Sequence, residues 1–221
     1  MKQELFFATL GSIMTIAFLM VVNFLTTPGD LWFLYPSHVL ILLPISLYFL
    51  SKKQYKQFVL FTGLVTILFL WVNNYFNSPG HPWILYVAYP IILLILLTFL
   101  GKASKKLSVA LIGSGATILY YSLLNYYLSP GYPWAIYPAY AILWWPILLY
   151  FIRSKRYFGL SILGTFITVV FLIIVSAIST PNVIWEVYPI ILILWWPLSM
   201  CFYGSDRRKN GGNKKGAVHI K

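Results

Sequence analysis

The sequence predicts an all-α integral membrane protein, with eight transmembrane helices from four parallel 51-residue helical-hairpin repeats and both termini in the cytoplasm. Three observations carry the prediction. The 221 residues are 60% hydrophobic and only 9% charged, with a mean hydropathy of +0.81. Landmark residues recur at one fixed step through the chain. Every basic residue falls on the same side of the apolar runs.

Composition excludes a water-soluble globule, whose surface needs about a quarter charged residues. In lipid that shortage is no penalty, because apolar side chains face acyl chains. The net charge of +12 arises from clusters between apolar runs, which marks membrane flanks and excludes a nucleic-acid surface. The single cysteine, Cys201, forms no intramolecular disulfide, and the three histidines (His38, His81 and His219) are scattered. No metal site, cofactor site or catalytic residue is predicted.

The repeat is anchored by a proline with a tryptophan four residues on: Pro28/Trp32, Pro79/Trp83, Pro130/Trp134 and Pro181/Trp185, each pair 51 residues after the last. Tyr35, Tyr86, Tyr137 and Tyr188 keep this step, as do Asn23, Asn74 and Asn125, with Ser176 in the fourth place. Pro44, Pro146 and Pro197 keep it too, with Ile95 the exception. The copies run over 1–51, 52–102, 103–153 and 154–204, forming one membrane domain over 1–204. Residues 205–221 form a basic tail, rich in Gly, Asn and Lys, expected to be unstructured.

Each copy holds two apolar runs, over 5–27, 33–50, 58–76, 84–100, 107–128, 135–152, 158–178 and 184–203. Crossing the hydrocarbon takes about 20 helical residues. The first run is too long for a signal-peptide core and supplies half of the first hairpin, so its retention is expected. Lys52, Lys53 and Lys56, then Lys102, Lys105 and Lys106, then Arg153, Lys155 and Arg156 lie in alternate loops, with Lys2 and the tail on the same side. Short loops rich in Lys and Arg stay cytoplasmic. The opposite loops carry Asp30, His81 and Glu186 and no basic residue.

The outer connections read Pro28-Gly29, Pro79-Gly80, Pro130-Gly131 and Pro181-Asn182. Pro-Gly suits a type II turn, in which glycine accepts a positive φ. The Trp-x-x-Tyr pairs that follow are placed for an aromatic belt at the outer headgroups. Asn23, Asn74 and Asn125 lie five residues before the turn proline, as interhelical hydrogen-bonding groups or as candidate lining of a polar cavity. Odd helices carry glycine and no proline, whereas even helices carry proline and no glycine. Close packing is therefore expected of the odd helices and curvature of the even ones. Trp144, Trp145, Trp195 and Trp196 are expected to fill space at the bends.

The stretch Val22-Asn23-Phe24-Leu25-Thr26-Thr27-Pro28-Gly29-Asp30-Leu31-Trp32-Phe33-Leu34-Tyr35-Pro36 resembles the core of the bacterial 2TM-domain family, and Asn74–Tyr86 and Asn125–Pro138 are similar. The resemblance implies two-helix membrane modules and a bacterial origin. It brings no catalytic residue.

The predicted spans contain no Asp, Lys or Arg, and no Glu except Glu186 at an outer end. Catalysis within the membrane and ion-coupled transport both usually need such groups. The expectation is a non-catalytic multipass protein of the cell membrane: a membrane subunit, sensor or immunity-type factor acting through helix contacts. A channel or carrier for a small apolar or uncharged solute is the alternative. The partners expected are the bilayer, anionic lipids at the cytoplasmic face and another membrane protein.

Overall fold

A computed structural model describes residues 2–180 and 183–216, with side chains over 3–180 and 183–202. The chain is helical, with no strand among the described residues: α1 (Lys2–Thr26), α2 (Leu34–Ser51), α3 (Tyr55–Asn77), α4 (Ile84–Leu100), a 3-10 turn (Gly101–Lys105), α5 (Leu107–Leu128), α6 (Ile136–Arg153), α7 (Tyr157–Ser179) and α8 (Val187–Gly216). Among the described residues, seven helices are long and apolar enough to cross a membrane. The sequence predicts eight. The described apolar part of the last, Val187–Phe202, is shorter than the others. It starts in register, since Val187 matches Leu34 and Ile136. Where an unstructured tail is expected from 205, the backbone of α8 stays helical to Gly216, and 217–221 lie outside the described residues.

The chain divides into two compact units, Met1–Ser104 and Lys105–Lys221, each holding two hairpins. In the first, α1 packs on α2, α2 on α3 and α3 on α4; in the second, α5 packs on α6, α6 on α7 and α7 on α8. Ser12, Asn23, Asn74, Ser114, Thr117, Asn125, Ser161, Thr165 and Ser176 are buried, whereas Leu25, Ile112 and Leu192 are 80%, 73% and 72% exposed. Polar groups inside and aliphatic groups outside is the arrangement lipid favours, because polar side chains there need protein partners.

Glycines on the odd helices receive side chains of the even ones. A Cβ on Gly113 would lie 2.6 Å from the Trp145 ring, and one on Gly164 2.6 Å from Trp196 and 2.8 Å from Trp144. Each missing side chain leaves a notch that an indole fills. At Gly63 the side chain of Ile95 does the same, 2.8 Å from the added carbon.

Proline is answered by a hydroxyl. Pro146 cannot donate to the carbonyl of Ile142 four residues back, and Pro197 stands in the same relation to Ile193. Ser114 Oγ donates to the Ile142 carbonyl at 3.1 Å, and Thr165 Oγ1 donates to that of Ile193 at 3.4 Å. Gly63 occupies the equivalent place on α3, where Ile95 replaces proline and keeps its backbone N–H. Ser12 is buried opposite Pro44 at the same step, without closing the bond.

The inner turns of the two units match. Gln54 N–H donates to the Phe49 carbonyl at 2.9 Å and Lys53 N–H to Leu50 at 3.0 Å; Arg156 and Lys155 repeat this on Phe151 and Ile152 at 3.1 and 3.2 Å. This is a Schellman cap. Lys53 and Lys155 hold its left-handed position, with φ of 56° and 53°.

Candidate functional site at the outer turns

Three of the outer turns are organised by the asparagine at the end of the odd helix. Asn23 Nδ2 donates to the carbonyls of Thr27 at 2.9 Å and Asp30 at 2.6 Å, while its Oδ1 accepts the N–H of Phe33 at 2.9 Å. Asn74 binds Ser78, His81 and Ile84 in the same way, at 2.8, 2.9 and 3.0 Å. Asn125 binds Ser129, Tyr132 and Ala135, at 2.6, 2.8 and 3.0 Å. A helix start leaves N–H groups without partners, and a side chain just before the helix usually supplies one. Here the caps are Phe33, Trp83 and Ala135, and none makes a side-chain capping bond. The amide from the preceding helix takes over that task. Both amide protons of each asparagine are committed to the turn of its own hairpin rather than to a neighbouring copy.

The same bonds overturn the type II expectation. Asp30 N–H donates to the Thr27 carbonyl at 3.2 Å and His81 N–H to Ser78 at 3.1 Å, closing four-residue turns. Gly101 is the one glycine with positive φ among the described residues, so Gly29, Gly80 and Gly131 keep negative φ and the turns are of type I kind. Drawing both turn carbonyls toward one amide sets that peptide orientation. The tips Pro28, Gly29, Pro79, Gly80, Pro130 and Gly131 are exposed, and a Cβ on any of these glycines would touch nothing. Pro181 lies outside the described residues.

Trp32, Trp83, Trp134 and Trp185 are half-buried, and Tyr35, Tyr137 and Tyr188 are exposed, with Tyr86 half-buried. The Trp32 indole N–H donates to Thr27 Oγ1 at 2.8 Å, and that of Trp185 to Thr180 Oγ1 at 2.7 Å. These tryptophans brace the turn from its flank. In the second unit the hydroxyl of Tyr132 lies 2.7 Å from those of both Tyr137 and Ser179, tying the third turn to α7.

The fourth turn reaches the same end by other residues. Ser176 replaces asparagine, and Glu186 stands where the others have Phe33, Ile84 and Ala135. Ser176 Oγ donates to Glu186 Oε2 at 2.6 Å. Together with the backbone N–H groups of Glu186 and Trp185, that bond holds the carboxyl below its usual range. In three turns a side chain reaches forward ten residues; in the fourth, one reaches back. The sequence marks Glu186 as an isolated outer acid and Ser176 as a lost asparagine. Their pairing is legible only when both substitutions are read at the same step.

Asn125 also borders a recess of about 500 Å³ between α5 and α6, with Ser122, Tyr126, Pro130, Pro133, Ala135, Ile136 and Ala139. Of the three asparagines considered as cavity lining, Asn125 is the one that borders this space. No family model, curated protein or solved structure matches the chain.

Proposed function

We propose that this is a non-catalytic protein of the cell membrane that acts through helix contacts, as a membrane subunit, sensor or immunity-type factor. In this reading four parallel hairpin repeats give eight crossings, with both termini in the cytoplasm. Anionic lipids meet the basic inner loops, and another membrane protein binds the helices. The observation that carries the reading is how the turn polar groups are used. The asparagines and the Ser176–Glu186 pair hold the hairpins' own backbones, so the outer turns act as scaffold. What remains facing outward is a broad aliphatic and aromatic surface, suited to lipid and to partner helices. The 2TM-domain resemblance fits two-helix modules used in this way.

Affinity purification from native membranes, with crosslinking before solubilisation, tests the reading. A defined membrane-protein partner retained at near-stoichiometric yield is the expected result; reproducible recovery of the chain alone overturns it. Orientation is tested by cysteines placed at 54 and 80 in a Cys201→Ser background. An impermeant reagent on intact cells should label position 80 and spare 54.

A further inference from the structure

We infer that the recess on the third hairpin is a binding site for a glycerolipid of the outer leaflet, held at its ester groups. Two of the residues that line it are small in this hairpin and larger in the others. At the position of Ser122 the other hairpins carry Met20, Trp71 and Ile173; at that of Ala135 they carry Phe33, Ile84 and Glu186. In the first hairpin the Phe24 and Phe33 rings, 6.2 Å apart, occupy the equivalent place. The small residues of the third hairpin open it.

The lining selects the ligand. It contains no carboxylate and no basic side chain, so a charged head is not drawn in. Its walls are proline, alanine and isoleucine, which suit an acyl chain. Besides Asn125, whose amide is held by the turn, its polar groups are Ser122 and Tyr126, one helical turn apart on α5, where side chains share a face. Among the described residues neither hydroxyl has a hydrogen-bond partner, whereas Thr117 on the same helix donates to the Gly113 carbonyl at 2.7 Å. A hydroxyl among acyl chains seeks an acceptor. Ser122 lies six residues before the end of α5, about 9 Å below the outer turn at 1.5 Å per residue. Tyr126 is above it, and a tyrosine on a helix leans back toward the N-terminus, bringing its hydroxyl down toward Ser122. Two acceptors close together near the top of the hydrocarbon are what the paired ester carbonyls of a glycerolipid present.

The test uses the full chain in phosphatidylcholine vesicles containing a phosphatidylcholine analogue with a photoreactive diazirine near the top of one acyl chain. Labelling is expected to concentrate on peptides spanning 122–139. The double substitution Ser122→Trp with Ala135→Phe refills the recess with residues other hairpins use, and should lower that labelling at least about fivefold while leaving α7 peptides unchanged. Ser122→Ala with Tyr126→Phe keeps the shape and removes the donors. It should lower labelling by the ester lipid to the level that an ether-linked analogue gives on the unaltered protein. Two outcomes overturn the proposal: labelling of 122–139 no greater than that of 20–37, or equal labelling by ester and ether lipids.

Discussion

The two units share a framework and differ in how its interior is filled. Both cap their inner turn with a left-handed lysine and lock outer turns with asparagine, the fourth turn alone using Ser176 and Glu186. In both, a ring from the even helix stacks on a phenylalanine of the next odd helix. His38 lies on Phe69 at 4.4 Å and Tyr140 on Phe171 at 4.0 Å, with Thr66 3.4 Å from His38 and Thr168 2.9 Å from Tyr140. Away from this frame they diverge. The second unit seats indoles on Gly113 and Gly164 and closes both proline-freed carbonyls. The first leaves Gly11 with nothing nearby, Ser12 without that bond, and Ser37 Oγ and His38 Nδ1 buried without partners. Turns and caps specify that a hairpin forms, whereas interior complementarity decides how firmly it is held.

The largest effect should separate the units at glycine. Gly164→Leu places a branched side chain where even a Cβ meets two indoles, and overpacking of this kind costs about 3 kcal/mol. Gly11→Leu enters open space and should cost less than about 0.5 kcal/mol. Denaturation in mixed micelles measures both. Equal losses would dissolve the contrast between a filled and an unfilled interior.

Asparagine should act alike in both units. Asn74→Leu and Asn125→Leu each remove three hydrogen bonds and leave turn groups unpaired, for about 2 kcal/mol apiece. Loss of protease resistance at the affected turn reads this out. A large inequality between the two would mean that the turns, and not only the interiors, distinguish the units.

The outer turn was legible in part. Spacing alone picked out Asn23, Asn74 and Asn125, because a residue held at one step through otherwise drifting positions has a fixed task. The task itself was not legible, since an amide on a membrane helix can serve a neighbouring helix or its own turn, and only the path of Thr27–Phe33 decides. Pro-Gly misled for a related reason: the dipeptide permits a positive φ without requiring it, and the asparagine chose the other peptide orientation. Glycine and proline on alternate helices were plain in the sequence, but their partners were not. Ser114 with Pro146, Thr165 with Pro197 and Gly63 with Ile95 lie 32 residues apart, and the pairing emerges only once α5 and α6, α7 and α8, or α3 and α4 are laid side by side.

That pairing gives a smaller effect. Ser114→Ala should cost about 1 kcal/mol by leaving the Ile142 carbonyl unbonded. The loss should shrink toward zero in a Pro146→Ile background, where the helix supplies its own donor. Ser12→Ala should cost little, since no such bond is present in the first unit. A coupling near zero between Ser114 and Pro146 would remove the hydroxyl-for-proline explanation.

Acid should act on the fourth turn before the other three. A carboxyl with its folded pKa below the unfolded value stabilises the fold above the unfolded pKa and loses that contribution as pH falls through the folded one. Unfolding of the second unit should therefore be promoted below about pH 4.3, and this pH dependence should vanish in Glu186→Gln. Persistence of the acid response in that variant would assign it elsewhere.

The smallest effect is expected where the sequence suggests a large one. Gly80 looks indispensable as the second residue of a Pro-Gly turn, yet its φ is not positive and an added Cβ meets nothing. Alanine can adopt that conformation without strain, and it restricts the unfolded chain more than glycine does. Gly80→Ala should therefore be neutral or stabilising by up to about 0.5 kcal/mol, and Gly131→Ala in the second unit should match it. Glycine's freedom would be used instead at Lys53 and Lys155, which hold positive φ and carry a side chain there. If Gly80→Ala instead destabilises by more than about 1 kcal/mol while Gly131→Ala does not, the outer turns of the two units differ in geometry, and the common framework reduces to its inner caps.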